Sequence, residues 1–527
     1  MIYMNVIKQT QSLCPECLKV LQATIFEENN KVWIKKECPE HGEFLDLYWG
    51  DYDMYKKAMG FFHDGKEIQN PNTELKRSCP MDCGLCNQHT SHTALGNIVV
   101  TNRCDLQCFY CFFFAKKMGY VYEPSLDQIR MMLRKMKEEK PVPAKAVQLT
   151  GGNPEVREDL IDIIKIAKEE GYDHVQLNIN GTHKLAWDLE WAKKVREAGV
   201  NTIYLSFDGT NPKTNPKNHW EIPKILDNSR KADIGIVLVP TVINTINDND
   251  VGNILKFGIK NIDVVRGVNY QPVSLVGRIT KADVKKFRIT IPDVIKKIEE
   301  QTNGMVAKED WYPVPTVTPM THYFEALTNM PKYELTAHPV CGMATYLFLD
   351  GDKVVPINRF LDVEGFLEFL EELSNQAKGI TGKVYTTLKI ITKLNSFVDK
   401  DKQPKDLKFA KIMYNVLRYG DYNALRILHH KSLFVGMMHF MDLWNYDIER
   451  VKKCCIHYAQ PDGRIVPFCA FNVIPQWYRD EIQEKYSVSI PEWEKKTKKS
   501  LESELYKRNV KELEADPLYK KTYDGFI

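Results

Sequence analysis

Thirteen cysteines are gathered into short groups, and this grouping constrains the fold of the 527-residue chain more than any other feature. Cys104, Cys108 and Cys111 stand in one loop, separated by three and then two residues. Thiolates at this spacing can hold three irons of a [4Fe–4S] cube and leave the fourth iron without a protein ligand. An iron with open coordination sites can take part in chemistry. The sequence therefore predicts a reactive iron–sulfur centre in this loop.

The overall composition is ordinary for globular domains, with 43% hydrophobic and 27% charged residues. The length predicts two to four domains. A net charge of +3 is too small to indicate nucleic-acid binding. No apolar run approaches the roughly 20 residues needed to span a bilayer, and residues 1–12 lack the pattern of a signal peptide. We therefore expect a cytoplasmic protein whose grouped cysteines bind metals rather than form disulfides.

The first 50 residues contain a four-ligand metal motif. Two knuckles, each beginning Cys-Pro-Glu, flank a hairpin-like stretch with Asn29-Asn30 at its turn. Knuckles joined in this way predict a tetrahedral site of three cysteines and one histidine, a geometry that zinc and mononuclear iron share. Spacing alone leaves zinc and iron open. The predicted ligands are Cys14, Cys17, Cys38 and His41.

Strand-like and helix-like segments alternate from about residue 97 to residue 300. One helix is predicted to begin at Ser125, because Gln128 completes a capping box. Alternation of this length predicts a parallel sheet that forms a barrel or partial barrel. The cysteine loop follows the first strand, so we expect it at the end of the barrel where such folds place their sites. The predicted strands are 97–101, 146–150, 174–179, 202–207, 235–242 and 262–272.

A second cysteine triplet has the same spacing but lies upstream, in a segment with Pro and Gly. Only the Cys104 triplet directly follows a strand, so we assign it to the catalytic cluster and the other to an auxiliary cluster. The fourth ligand of that cluster is His89 or His92, or the position is open for substrate. Two later units with Asp-Gly turns predict a third cluster, in which one or both of Cys454 and Cys455 ligate. The predicted auxiliary ligands are Cys79, Cys83, Cys86, Cys341, Cys454, Cys455 and Cys469.

The catalytic loop and three later strand ends resemble the radical S-adenosylmethionine (SAM) enzymes. Gly151-Gly152-Asn153-Pro154 is similar to their Gly-Gly-Glu-Pro segment, with Asn in place of Glu. An amide can still accept a hydrogen bond from the SAM ammonium but adds no charge. The resemblance implies electron transfer from a reduced cluster to SAM and a 5′-deoxyadenosyl radical that abstracts hydrogen from an unactivated carbon. The SAM-binding residues that it implies are Tyr110, Gly151, Gly152, Asn153, Asn178, Asn180, Ser206 and Asp208.

The layout of nearly the whole chain resembles the archaeal tetraether synthases. A Cys-Pro-Glu-Cys knuckle, a Cys-Pro-x-x-Cys-Gly-x-Cys segment, the core and the segment 455–469 occur in that order. The resemblance implies an enzyme that joins terminal methyl carbons of isoprenoid chains of archaeal diether phospholipids, with two SAM molecules per bond. It implies three [4Fe–4S] clusters, one mononuclear iron or zinc, a low-potential electron donor and peripheral contact with the membrane.

Two apolar stretches, 112–114 and 433–441, suit a lipid substrate, although the alternative is that both are ordinary core. Burial of about 20 methylene carbons is worth on the order of 16 kcal/mol, so a lipid requires a long apolar tunnel to the Cys104 cluster. The alternative function is a radical SAM methyltransferase or C–C bond-forming enzyme acting on a pterin-type substrate. Its planar ring would require stacking aromatics with paired polar groups. A non-enzymatic iron–sulfur electron carrier is the alternative of a different class.

The expected fold class is α/β, a radical SAM partial (β/α)6 TIM barrel between two cysteine-bearing regions. Residues 1–78 are expected to form an N-terminal metal-ribbon module and residues 79–95 an auxiliary-cluster linker. Residues 96–300 are expected to form the core barrel, and residues 301–527 a C-terminal auxiliary-cluster domain of SPASM-like type. Within it, residues 492–523 are expected to form charged surface helix with no part in the chemistry.

Overall fold

The computed structural model describes residues 5–111, 113, 115–276, 281–377, 379–419 and 431–526. Phe112 and Phe114 of the first apolar stretch lie outside the described residues. Within these ranges, no helix has both the length and the apolarity needed to cross a lipid bilayer.

The N-terminal module is a four-stranded antiparallel sheet. Its central hairpin turns at Asn29 and Asn30, which have φ angles of 55° and 56°. A two-residue turn of this kind requires positive φ at both positions, which Asn tolerates, and the predicted hairpin is confirmed. The inner face of the sheet joins the main core through Ile25 and Ile34. The four strands are Asn5–Leu13, Val20–Glu28, Lys31–Cys38 and Gly42–Trp49.

Six parallel strands form the core predicted from the alternating pattern. Neighbours along the chain are also neighbours in the sheet, and each pair is parallel. The α/β fold class with a partial barrel is therefore confirmed. We number the barrel strands one to six in chain order. They are Leu95–Thr101, Ala146–Gly151, His174–Ile179, Thr202–Ser206, Gly235–Val239 and Val265–Pro272.

Helices between and after the barrel strands bury aliphatic side chains against the outside of the sheet. The first begins after Ser125, whose hydroxyl accepts a hydrogen bond from the Gln128 N–H, while the Gln128 side chain accepts one from the Ser125 N–H. This reciprocal pair is the predicted capping box. The barrel helices are Leu126–Lys137, Leu160–Glu169, Leu189–Ala198, Ile222–Lys231, Val251–Lys260 and Ile291–Gln301.

Strands from beyond residue 300 extend the barrel sheet at both edges. At one edge, Ser432–Met438 pairs parallel with barrel strand six and antiparallel with Gly342–Asp350, which forms a hairpin with Lys353–Pro356. At the other edge, Ile456–Ala459 pairs parallel with barrel strand one and forms a hairpin with Ile465–Pro467. The C-terminal cysteines are thereby attached to the same sheet as the catalytic loop.

The two Asp-Gly pairs lie at hairpin turns, as predicted. Gly351 and Gly463 have φ angles of 62° and 87°, which glycine adopts without strain. In the second hairpin His457 pairs with Pro467, so Cys455 and Cys469 lie toward one end of it.

The remaining elements include helices that cover the C-terminal half and several two-residue strands. The tail differs from the expected surface helix, because it consists of three short helices joined by an irregular segment. The short strands are Tyr120–Val121, Thr241–Val242, Tyr312–Pro313 and Val488–Ser489. The helices are Tyr52–Met59, Ala115–Met118, Val284–Phe287, Thr318–Thr328, Val363–Gln376, Gly379–Lys393, Phe409–Tyr419, Ile448–Lys452, Phe468–Val473, Glu481–Lys485, Ile490–Thr497, Val510–Ala515 and Pro517–Tyr523.

Candidate functional site

The predicted catalytic cysteines follow the C-terminal end of barrel strand one. The N–H of Leu106 donates to Cys104 Sγ over 3.4 Å, and the N–H of Cys111 donates to the carbonyl of Cys108 over 3.2 Å. Burial raises the pKa of the Cys104 and Cys108 thiols above the usual range of cysteine. Metal binding at these thiols would release protons, because the thiolate is the ligating form.

A cavity of about 390 Å³ opens beside this loop, inside the barrel. Its volume is in the range of small-molecule sites. All three cysteines of the loop line it. Other predicted site residues on its wall are Tyr110, Gly151, Gly152, Asn178, Asn180 and Ser206.

Gly151 and Gly152 are required by the close approach of the cysteine loop. A Cβ atom on Gly151 would lie 2.0 Å from the carbonyl oxygen of Thr101, and one on Gly152 would lie 2.0 Å from that of Arg103. Gly151 also has a φ of 140°, which other residues rarely adopt. The two glycines therefore hold the end of barrel strand one, and the loop that follows it, against barrel strand two.

Asn153 is fully buried behind this wall. Its Nδ2 atom donates to Asp105 Oδ1 over 2.8 Å, to Asn180 Oδ1 over 3.0 Å and to Glu155 Oε2 over 3.1 Å. Thr182 donates to the second oxygen of Asp105 over 2.6 Å. Asp105 is not among the site residues predicted from the sequence, although it directly follows the predicted ligand Cys104. This network ties the cysteine loop to barrel strands two and three.

Asp208 lies next to Tyr110, whose hydroxyl donates to it. Lys217, which also lines the cavity, reaches Asp208 Oδ2 over 2.7 Å, the Tyr110 hydroxyl over 3.0 Å and Ser206 Oγ over 2.9 Å. Burial, together with the Asp208 carboxylate, holds the pKa of Tyr110 well above its usual range, so this hydroxyl stays a neutral donor. Lys217 stands in a loop that no motif marks. It brings a buried ammonium group, paired with Asp208, to the cavity wall.

Amide side chains cover part of the barrel interior. Gln148 donates to Asn97 over 2.8 Å, and Gln176 donates to Gln148 over 2.7 Å. These three residues, which we call the amide ladder, lie on barrel strands one to three. Asn269 and Gln271 of barrel strand six line the same cavity.

The cavity is not the long apolar tunnel expected for a lipid, since its volume of about 390 Å³ is that of a small-molecule site and amides stand among its apolar side chains. A lipid chain would strip water from the amide groups on its wall without replacing their hydrogen bonds. The stretch 433–441 is only partly at the cavity: its strand places Leu433 and Val435 in the core, while Phe434, Met438 and Phe440 line the wall. Aromatic and amide side chains thus share the cavity surface.

The four predicted ligands of the N-terminal module converge. Cys17 Sγ lies 3.9 Å from Cys38 Sγ, and His41 Nδ1 lies 3.7 Å from Cys14 Sγ and 3.5 Å from Cys38 Sγ. A tetrahedron with metal–sulfur bonds of about 2.3 Å has edges of roughly 3.8 Å. The site therefore fits one tetrahedral metal ion, and no further side chain is needed to complete it.

The first auxiliary triplet is buried close to the C-terminal cysteines. Cys79, Cys83 and Cys469 belong to one hydrophobic cluster, against which Cys454 packs. Burial, and then the neighbouring cysteines including Cys454, raises the pKa of Cys83. The triplet and the cysteines of the C-terminal hairpin therefore lie together in what we call the thiol-rich core. Cys86 also contributes a buried thiol to it.

The two histidines expected near this triplet differ in their surroundings. His89 Nε2 lies 2.7 Å from the carbonyl oxygen of Cys454 and 3.1 Å from a ring nitrogen of His457. His92 Nε2 accepts from the N–H of Glu334 over 2.9 Å, and its Nδ1 has no hydrogen-bond partner among the described residues. Both contacts of His89 use the same ring nitrogen, and His89, unlike His92, lines a narrow gap together with Cys79, Cys83 and Cys86.

Arg450 lies at the predicted third cluster. Its Nε donates to Cys341 Sγ over 3.3 Å, and the guanidinium is almost fully buried. The N–H of Met441 donates to Cys469 Sγ over 3.5 Å. A buried guanidinium beside Cys341 would balance the negative charge of a metal-bound thiolate there. Arg450 precedes the adjacent cysteines Cys454 and Cys455, but nothing in the sequence pairs it with Cys341.

Comparison with known proteins agrees with these features. The family described as "Radical SAM superfamily" matches residues 98–258, and the "HMPTM N-terminal zinc ribbon domain" matches residues 6–50. A 7,8-dihydro-6-hydroxymethylpterin dimethyltransferase of Methanocaldococcus jannaschii is 48% identical over 498 residues, which cover 93% of this chain and 97% of that protein. The chain belongs to the family of that enzyme, within the radical SAM superfamily. The predicted cofactors, a [4Fe–4S] cluster and SAM, follow from this membership.

Two further similarities are restricted to part of the chain. A probable GTP 3′,8-cyclase of M. jannaschii is 25% identical and covers 40% of this chain and 68% of that protein. Streptococcus suis SuiB bound to the precursor peptide SuiA is 15% identical, with a TM-score of 0.31, and covers 41% of this chain and 46% of that one.

The tetraether interpretation is wrong in view of the family. The relative at 48% identity is a pterin methyltransferase, which overturns lipid coupling as the function and the diether phospholipid as the substrate. The expected membrane contact rested on that lipid and is withdrawn with it. The alternative interpretation, a radical SAM methyltransferase of a pterin-type substrate, agrees with the relative and with the amides on the cavity wall.

Proposed function

We propose that the chain is a radical SAM methyltransferase that methylates a reduced pterin, and that 7,8-dihydro-6-hydroxymethylpterin is this substrate. The observation that carries the proposal is the 48% identity to a dimethyltransferase of this pterin, over 97% of that protein's length. The amide-lined cavity beside the cysteine loop supports it.

Cys104, Cys108 and Cys111 are proposed to hold the catalytic cluster. When bound, the reduced cluster and SAM supply a 5′-deoxyadenosyl radical at the cavity. The chain's own part is to bind and orient SAM. Lys217 is placed to attract its carboxylate. Asn153, whose Oδ1 atom has no hydrogen-bond partner in the described structure, is buried behind the wall, so its proposed part is to hold the cysteine loop through Asp105 rather than to contact SAM.

The amide side chains are proposed to read the edge of the pterin ring. A pterin presents hydrogen-bond donors and an acceptor side by side on its pyrimidinone edge. A carboxamide presents one of each, so Asn97 and Gln148 on one wall, or Asn269 and Gln271, can match it. Tyr458 and Phe434 offer aromatic faces for the flat ring. A site built from paired amides discriminates strongly against ligands that leave them unpaired.

The other cysteines are proposed as structural and auxiliary metal ligands. Cys14, Cys17, Cys38 and His41 would hold a mononuclear ion, and zinc is supported by the similarity to a zinc ribbon. The thiol-rich core would hold the auxiliary clusters, with Arg450 balancing negative charge at Cys341. The proposed auxiliary ligands are Cys79, Cys83, Cys86, Cys341, Cys454, Cys455 and Cys469.

The proposal is tested by anaerobic incubation of the reduced, reconstituted protein with SAM and 7,8-dihydro-6-hydroxymethylpterin. Mass spectrometry should detect 5′-deoxyadenosine together with pterin that has gained one and then two methyl groups. Each methyl group must come from a second SAM molecule or from an added reduced one-carbon donor, because the SAM that is cleaved to the radical keeps its methyl group on methionine. A parallel incubation with an archaeal diether lipid should leave the lipid unchanged. Coupled lipid with unmodified pterin would contradict the proposal.

A further inference from the structure

The tail of the chain lies against the outer side of the cysteine loop. Residues 498–509, which we call the strap, join helix Ile490–Thr497 to helix Val510–Ala515. The N–H of Tyr506 in the strap donates to the carbonyl oxygen of Asp105 over 2.9 Å. A narrow gap between loop and strap is lined by Cys104, Leu501 and Leu505, among others. Cys104 therefore faces the cavity on one side and the strap on the other.

One anchor of the strap is an ion pair to the residue before Cys104. Arg103 Nη1 lies 2.5 Å from Glu504 Oε1, and the same guanidinium lies 2.8 Å from Glu123 Oε1 and 4.9 Å from the centre of the Trp493 ring. The Arg103 side chain is only 7% exposed. Loss of the Glu504 carboxylate would leave Arg103 paired with Glu123 but would remove the charge-assisted hydrogen bond that joins the strap to it. Glu504 therefore holds the start of the cysteine loop.

The second anchor reaches the loop that carries Lys217. Arg508 donates from Nε to Glu221 Oε1 over 2.7 Å and from Nη2 to Glu221 Oε2 over 2.9 Å. Its Nη2 also donates to the carbonyl oxygen of Lys217 over 2.7 Å. Glu221 is fully buried, so this two-pronged pair is both specific and strong. The backbone of Lys217 is fixed from outside by the strap, while its side chain reaches Asp208 at the cavity.

We propose that the strap is a clamp that fixes the cysteine loop and the Lys217 loop relative to each other. Glu504 and Arg508 are its positioning residues, and neither touches the cavity. The clamp keeps water from the outer side of Cys104 and so slows loss of iron from the cluster held there. The inference rests on the proposed assignment of Cys104 to the catalytic cluster.

The test compares Glu504→Gln and Arg508→Gln with the unaltered holoenzyme. Under anaerobic conditions, the rate of iron release to a chelator is followed through the EPR signal that changes when SAM is added. Each variant should release this iron about tenfold faster, since a buried charge-assisted hydrogen bond is lost. Hydrogen exchange should also accelerate in peptides that cover residues 101–106, while the metal of the N-terminal module is retained.

Glu502→Gln is the matched control, because Glu502 lies in the same strap but pairs with Lys116 at the surface, where both side chains are more than half exposed. Such a pair contributes little, so its iron release should stay within about twofold of the unaltered enzyme. Arg508→Lys keeps the positive charge but cannot make the two parallel hydrogen bonds to Glu221. Its rate of iron release should therefore lie between that of Arg508→Gln and that of the unaltered enzyme. Equal iron release and equal exchange in Glu504→Gln and Glu502→Gln would overturn the clamp.

The readouts separate failure of the clamp from failure of the catalytic assignment. If no EPR signal of the unaltered enzyme responds to SAM, the assignment of Cys104 is wrong. Hydrogen exchange over residues 101–106 still tests the clamp in that case, because it reports the backbone directly. If hydrogen exchange over residues 101–106 is unchanged in both Glu504→Gln and Arg508→Gln, the clamp is rejected, whether or not iron release from the cluster changes.

Discussion

The N-terminal metal module and the Cys104 loop use the same kind of side chain to build opposite kinds of site. In the module, three thiols and one imidazole converge to within 4.8 Å of one another, as in a closed tetrahedral site. In the loop, three thiols lie on the wall of a cavity whose other walls combine amide, aromatic and aliphatic side chains. A closed site stabilises structure, whereas an open one leaves room for a ligand.

The supports of the two sites differ in the same way. The module's ligands come from two knuckles within 28 residues of one another in the sequence, joined by a hairpin. The loop is held by partners from distant parts of the chain: Asn153, Asn180 and Glu504. The side chains of an open site are held in place by residues from other parts of the fold, because a short loop cannot fix their positions alone.

The largest effect is expected from Cys108→Ala, which removes one of the three proposed ligands of the catalytic cluster. Formation of 5′-deoxyadenosine should fall below detection, because two thiolates do not retain a site-differentiated cluster. Metal analysis should show that the N-terminal module keeps its ion. Continued SAM cleavage would mean that the catalytic cluster lies elsewhere, with Cys83→Ala as the next variant to examine.

The next largest effect is expected from Cys38→Ala, which alters the metal site of the N-terminal module. The module should lose its ion and become sensitive to proteolysis, since binding of a structural metal contributes several kcal/mol to folding. Cleavage of SAM should remain within about threefold of the unaltered enzyme, because none of the four predicted ligands of the module lines the cavity. Glu40→Gln, which alters only an exposed ion pair beside the knuckle, is the control and should retain the ion.

Lys217→Met tests whether the cavity attracts SAM through a buried positive charge. The Kd for SAM should rise about 10- to 100-fold, because this is the affinity lost with one hydrogen bond to a charged group. Equilibrium dialysis with the oxidised enzyme measures it without turnover. Lys213→Met, four residues earlier and exposed, should leave the Kd unchanged. Equal affinities in the two variants would remove Lys217 from the site.

The smallest effect is expected from Gln148→Leu in the amide ladder. The Kd for the pterin should rise about tenfold. SAM cleavage without pterin should be unchanged, because Gln148 bonds to Asn97 and Gln176 and to none of the proposed SAM-binding residues. Gln176→Leu, one strand further and outside the cavity lining, should weaken pterin binding less. If Gln148→Leu binds pterin with unchanged Kd, the amide ladder stabilises the barrel and does not contact the substrate.

Local features of the fold could be predicted from the sequence because their causes are local. The turn at Asn29-Asn30 and the capping box at Ser125 depend on residues within three positions of each other. The barrel strands followed from alternating patterns, with ends displaced by up to three residues. The four ligands of the module were predictable for the same reason.

The supports of the open site could not be predicted because they join distant residues. Arg508 meets Glu221 across 287 positions, and Arg103 meets Glu504 across 401. The substrate was misjudged for a related reason. The stretch 433–441 is apolar as a sequence, but its alternation sends half of it to the core, and the polar wall is assembled from several other strands. Composition of one segment does not determine the chemistry of a cavity.

Mössbauer spectroscopy of the reconstituted enzyme, with and without SAM, tests the contrast between the two sites most directly. One iron of the Cys104 cluster should change its isomer shift when SAM is added, because its fourth position is open to the amino and carboxylate groups of SAM. The spectrum of any iron in the N-terminal module should stay the same. If no iron of the catalytic cluster responds to SAM, its fourth position is closed, and the Cys104 loop is not the open site proposed for it.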